Sequence, residues 1–345
     1  MARGLFSPGG PHNVKSLGND KYQLSITLPP DADGRLAREC PSQECSPGYF
    51  KIKQGTGRPG EAAAVFCPYC HHTAHSSEFA TKEQARYAKD VVIREAQKGL
   101  EGMVKDALGL GPSGKRKFGG GLISMEMSLK SSALPPVRRP FEDEVRRDVI
   151  CPHCSLDQTV FGLATWCADC GEDIFLTHVA AEIDTCARMI ADIPRRTEVL
   201  GKRVAAKDLE NCLEDAVSVF EASIKILVRR ALAVRGASME EIDGKLKRAG
   251  NAFQSVPRTK EQLRVLLGVA LPDAAEWALL AHAFEKRHPV AHNLGVIDRK
   301  YLERVQAAER EGREVRLAPD EVSNVLIAVQ AAIAAVDSAL KSYPA

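Results

Sequence analysis

From residue 177 onward, apolar residues recur with the period of a helix. Val179, Ile183, Cys186 with Ala187, Ile190 and Ile193 fall on one stripe, and Leu209, Leu213, Val217, Phe220, Ile224, Leu227 and Ala231 fall on a second. Trp277, Leu280 and Phe284 mark a third, and Val322, Val325, Val329, Ile333, Val336 and Leu340 a fourth. Steps of three and four place each set on one face of a helix, which must be buried against another element. Shorter helices are expected over 238–252, 259–268 and 298–311. Few β-branched alternations occur here, so 177–345 reads as an all-α helix bundle.

The first half is patterned differently. Residues 1–39 are rich in Pro and Gly, and only the alternating run Tyr22–Leu28 predicts a short strand. Thr81 to Leu108 has helical spacing, through Ala85, Ala88, Val92, Ala96, Leu100, Val104 and Leu108. Residues 109–140 then break into Gly-rich and Pro-rich sequence, which predicts a flexible connection.

Cysteines change this picture. Eight of the ten form four close pairs: Cys40-x4-Cys45 with Cys67-x2-Cys70, and Cys151-x2-Cys154 with Cys167-x2-Cys170. Zinc takes four thiolates in a tetrahedron, and a tight Cys-x2-Cys turn presents two of them together. Two such turns joined through a hairpin make a zinc ribbon. The pattern therefore predicts two structural zinc sites, and a shell filled by four thiolates leaves no position for a catalytic water. His71, His72 and His75 follow Cys70 and offer an alternative ligand in place of Cys40 or Cys45. Cys186 and Cys212 lie on apolar helix faces and read as small core residues.

The predicted fold class is α+β and multidomain, two small β-rich zinc ribbons followed by the bundle. An N-terminal strand and first ribbon occupy 1–80, a helix and basic Gly/Pro-rich linker 81–147, the second ribbon 148–176, and the bundle 177–345. The linker predicts a first ribbon mobile relative to the second.

Charge adds little. Residues 1–172 hold 22 Lys+Arg against 20 Asp+Glu and residues 173–345 hold 25 against 25, which excludes a broadly basic nucleic-acid binder. No uninterrupted apolar run reaches the 18 or so residues of a membrane span, and the opening residues lack an apolar signal core. A cytoplasmic location with reduced thiols is expected. Gly109 to Lys115 imitates a phosphate-binding loop, but Arg116 stands where Ser or Thr should hold magnesium, and a helix rather than a strand precedes it. It reads as a basic flexible loop.

The last informative string runs from Phe284 to Leu302 and contains Arg287, His288, Pro289, His292, Asn293, Gly295, Asp298 and Tyr301. Pro289 is expected to stop or kink the preceding helix at His288, letting Arg287, His288 and His292 converge. The plainer reading is a capped or kinked helix with Arg287 paired to Glu285 or Asp298. The string resembles the signature of HEPN domains, in which an Arg followed by a polar residue precedes a His within a helix bundle. The resemblance covers roughly 177–345 and departs at His288, where many members carry Asn. It implies metal-independent RNA cleavage by 2′-hydroxyl attack, leaving a 2′,3′-cyclic phosphate and a 5′-hydroxyl. His292 would act as general acid/base, Arg287 would stabilise the phosphorane charge, and His288 would support them. It also implies a homodimer acting on RNA, in the manner of a stress or anti-phage defence nuclease, with the ribbons as recognition or regulatory modules. The alternative is a non-catalytic zinc-ribbon regulator that binds nucleic acid or protein, with a helical domain that dimerises.

Overall fold

The computed structural model describes the chain except residues 1–4, 7–8, 10–11, 20, 47, 61–63, 112, 120–124, 131–132, 138–146, 273, 306–308 and 343–345. It divides into two compact units, one of Met1–Arg146, His153–Phe161 and Cys167–Gly171, the other of Arg147–Pro152, Gly162–Trp166 and Glu172–Ala345.

In the first unit, β1 (Lys15–Gly18) and β2 (Lys21–Gln23) form an antiparallel hairpin. The strand expected over Tyr22–Leu28 ends at Gln23, because Gln23 already faces Lys15, the first residue of its partner. β3 (Arg35–Glu39) and β4 (Tyr49–Lys53) pair antiparallel in register from Arg35↔Lys53 to Glu39↔Tyr49. Short β5 (Val65–Phe66) and β6 (Thr73–Ala74) pair next, followed by the 3-10 turn Ser76–Phe79. α1 (Lys82–Ala107) begins at Thr81, whose hydroxyl accepts from the Gln84 N–H, and the Gln84 side chain donates to the Ala37 carbonyl of β3 at 2.8 Å.

Two expectations about the linker fail. β7 (Lys115–Phe118) and β8 (Met125–Ser128) form a hairpin where a flexible basic loop was expected, so the sham phosphate loop runs from a helix into a strand. More consequentially, β10 (Asp157–Val160) pairs antiparallel with β4 through Gln158↔Ile52 and Val160↔Phe50. The strand between the second pair of cysteine turns thus lies against the first ribbon, which rules out a first ribbon mobile relative to that strand. Phe50 and Val160 are buried along this seam, and Arg35 reaches across it to Asp157 at 2.8 Å.

The second unit opens with β9 (Arg147–Ile150) and is otherwise helical: α2 (Phe175–Ala191), α3 (Ile193–Leu200), α4 (Lys202–Val234), α5 (Met239–Ala249), α6 (Val256–Leu267), α7 (Ala275–His292), α8 (Arg299–Val305) and α9 (Pro319–Ser342). The four apolar stripes meet in one core, Cys186 and Cys212 included, except that Ala187 of the first stripe is exposed. α2 stops before Ile193 because Pro194 fits only the first turn of a new helix. α9 is, among the described residues, the helix long and apolar enough to cross a membrane by length and composition. Asn324 and Gln330 interrupt its apolar run, which hid it from the run-length criterion, and Val322, Val325, Val329, Ile333 and Val336 face the core.

Phe220 sits at the centre, with Phe284 at 5.2 Å and Trp277 at 6.2 Å, both edge-on. Phe220→Ala removes a fully buried ring from a packed core and is expected to cost about 3–5 kcal/mol. Urea unfolding of the helical unit checks this, and a loss under 1 kcal/mol contradicts the packing described.

Candidate metal centres and histidine site

Each cysteine site is built from sharp turns at strand ends. Cys40 follows β3, with its N–H bonded to Gly48 O, and Cys45 lies in the turn to β4, while Cys67 and Cys70 occupy the β5–β6 turn. In all three Cys-x2-Cys turns the residue after the second cysteine has a left-handed backbone: His71 at φ 62°, Ser155 at 63° and Gly171 at 73°. In two of them its N–H donates to the first cysteine's carbonyl, His71 to Cys67 and Gly171 to Cys167. Gly171 is required there on a second ground, since a Cβ would lie 2.9 Å from the Phe66 ring.

The thiols gather as the spacing predicts. Cys40, Cys45, Cys67 and Cys70 form one group and Cys151, Cys154, Cys167 and Cys170 the other, with the four sulfurs of each within 4.8 Å of one another. Cys40–Cys70 is 3.7 Å, Cys45–Cys67 3.6 Å and Cys154–Cys167 3.5 Å. A tetrahedron with sulfurs about 2.3 Å from its centre has edges of about 3.8 Å, so both groups have the size and donor set of a zinc site. Contacts with Cys67 and Cys70, and then burial, raise the Cys45 thiol well above its ordinary value. The histidine alternatives lie elsewhere. His71 stacks on Phe66 with ring centres 5.2 Å apart, His72 faces Phe79, and His75 caps the 3-10 turn.

The C-terminal string behaves otherwise than expected. α7 runs through Pro289 to His292, and the Pro289 carbonyl accepts from both Asn293 and Gly295 N–H at 2.9 Å. Pro289 stands one turn from the end, so its missing N–H costs a single helical bond without stopping the helix. His288 and His292, one turn apart, bring their rings to 5.1 Å. Arg287 does not join them. A step of one residue turns about 100° around the axis, and the Arg287 guanidinium bonds the Gln254 side-chain oxygen at 3.2 Å. Gln254 in turn donates to Glu221 at 2.8 Å, and Glu221 pairs with Lys225. The two carboxylates proposed for Arg287 are engaged elsewhere, Glu285 with Arg304 at 3.2 Å and Asp298 with the Tyr301 N–H at 2.8 Å.

His288 is less basic than an ordinary histidine: burial disfavours its imidazolium first, then the neighbouring His292 and Lys300, with Asp298 opposing and Arg304 adding to the effect. Its NMR titration midpoint is therefore expected below about 6.5, and a midpoint above that value contradicts this environment.

Compared with protein-family models, curated proteins and solved structures, the chain matches none. Sequence reasoning missed Gln254 and Glu221, isolated polar residues with no periodic signal. It also missed the stretch from Lys53 to Gly60, where three glycines and two cations within eight residues were the available sign.

Proposed function

We propose that the chain is a metal-independent endoribonuclease of HEPN type, a cytoplasmic homodimer that cleaves RNA in stress or anti-phage defence. The observation that carries this reading is the His288–His292 ring pair at the end of α7, with Arg287 adjacent in sequence. His292 is exposed and moves the proton as the 2′-hydroxyl attacks the neighbouring phosphate. His288, made less basic by its burial and by the neighbouring His292, supports it. Arg287 meets the charge that develops on phosphorus. Its bond to Gln254 is a contact with a neutral acceptor, which a phosphate oxyanion displaces because charge-assisted pairs are about twice as strong. In this reading the resting enzyme keeps its arginine aside.

The ribbons bind zinc structurally and serve as recognition or regulatory modules. Four thiolates fill a tetrahedral shell, so the metal braces turns and takes no part in cleavage.

Zinc-loaded wild type and the Arg287→Ala/His292→Ala double variant, incubated with total RNA, test the proposal. Cleavage by wild type alone, leaving 2′,3′-cyclic phosphate and 5′-hydroxyl ends, is expected. Equal cleavage by both proteins removes the site assignment. RNA binding without cleavage by a folded wild type leaves the zinc-ribbon regulator.

A further inference from the structure

The sheet of the first unit borders a cleft that the cysteine sites do not use. It encloses about 550 Å³, with Arg38 of β3, Lys53 at the end of β4, Arg58 and His75 among its walls. Its electrostatics are one-sided. Asp169, the carboxylate in the wall, is already held by Arg58, through Nε at 3.1 Å and the backbone N–H at 2.5 Å. Lys53 shares Asp157 with Arg35, at 3.7 and 2.8 Å. Arg38 has no ion pair among the described residues, and its Nε is buried without a hydrogen-bond partner. Arg38 is half-buried, and a guanidinium nitrogen withdrawn from water with nothing to bond is destabilising, a cost that an incoming anion relieves.

The loop that completes the cleft suits such an anion. Gly55, Gly57 and Gly60 all have left-handed backbones, at φ 80°, 88° and 90°. Gln54, Thr56 and Arg58 already spend their N–H groups on Gly34 O, Lys53 O and the Asp169 carboxylate, and Pro59 has none, so the loop's contribution to an anion is limited to the N–H groups of its glycines. A Cβ on Gly55 or Gly60 would meet nothing within 4 Å, so both leave open space, whereas one on Gly57 would strike the Asp169 carboxylate at 2.6 Å. The remaining wall includes Ile52, Val65 and Leu156, an apolar surface that an inorganic ion has no use for. The volume also exceeds what one small anion fills and falls within the usual range for organic ligands, about 300–1,000 Å³.

We infer that this cleft binds a nucleotide unit through its phosphate, with Arg38 as the central cation. The unit comes either from a free nucleotide or from a strand of RNA. A competing account gives Arg38 a purely local task, since it stands two residues before Cys40 and could offset thiolate charge.

The test uses the full-length, zinc-loaded His292→Ala protein, so that no probe is consumed and the binding readout does not depend on cleavage. Titration with AMP by calorimetry and with a fluorescein-labelled single-stranded RNA octamer by anisotropy separates the two sources. At least one probe should bind. Arg38→Gln should weaken it by about tenfold or more, while zinc content stays at two per chain and the melting temperature does not fall. Lys53→Gln, at the exposed rim, should weaken binding less with no change in fold. Binding of neither probe, or equal binding by wild-type and Arg38→Gln cleft, overturns the inference. Loss of zinc in Arg38→Gln assigns the arginine to the metal site and overturns it as well.

Discussion

Cys67→Ser is expected to lower the zinc content from two ions per chain to one and to unfold the sheet that the first site braces. Cys67 is fully buried, with its sulfur 3.6 Å from that of Cys45. The site ties the turn between β3 and β4, which carries Cys40 and Cys45, to the turn between β5 and β6. These strands have two to five residues each, too few to stand without a brace. A structural zinc contributes apparent binding energy of about 10–16 kcal/mol, comparable to the whole stability of an ordinary domain. Because β4 is the middle strand between β3 and β10, its loss also removes one of the two strands beside Asp157–Val160. Metal analysis together with amide hydrogen exchange checks this: protection should vanish across β3 and β4 and fall in β10. His71→Ala is the control, since its ring lies on Phe66 outside the thiol cluster, and it should retain both ions. Two retained ions in Cys67→Ser, with the sheet still protected, would falsify the ligand assignment.

What was legible in the sequence follows from what each element depends on. Helices such as α4 and α9 declare themselves because many residues repeat one local rule, and their stripes do form the core. The cysteine sites were legible for the same reason, since each pair sits within one turn. The β4–β10 ladder was not, because it joins three-residue registers about a hundred positions apart, and strands this short carry almost no alternation. The β7–β8 hairpin was hidden by a composition of Gly, Lys and Arg that reads as loop. Pro289 misled through a sound rule applied in the wrong place: proline breaks a helix interior, but here one turn remained. The direction taken by Arg287 depends on Gln254, which only the packing of the 3-10 turn Ala252–Gln254 against α4 and α6 brings near. No local pattern encodes such a partner.

His292→Ala is expected to reduce RNA cleavage by about 10²–10⁴-fold, the usual contribution of a positioned general acid or base. Arg287→Ala should fall by a comparable factor, and the double variant by little more than the worse single one, because both groups act on one transition state. Arg287→Lys should not restore the rate, since an ammonium lacks the planar fork that grips two phosphate oxygens. His288→Ala should cost less, as its ring supports His292 at 5.1 Å without taking the proton. Gln254→Ala discriminates most sharply. If the Arg287–Gln254 bond at 3.2 Å is the resting restraint, its removal should preserve or raise cleavage while leaving the fold intact. If that bond instead positions the arginine for catalysis, the same change should lower cleavage alongside Arg287→Ala. Single-turnover rates on a defined RNA decide between these outcomes, and a His292→Ala enzyme as fast as wild type removes the histidine site altogether.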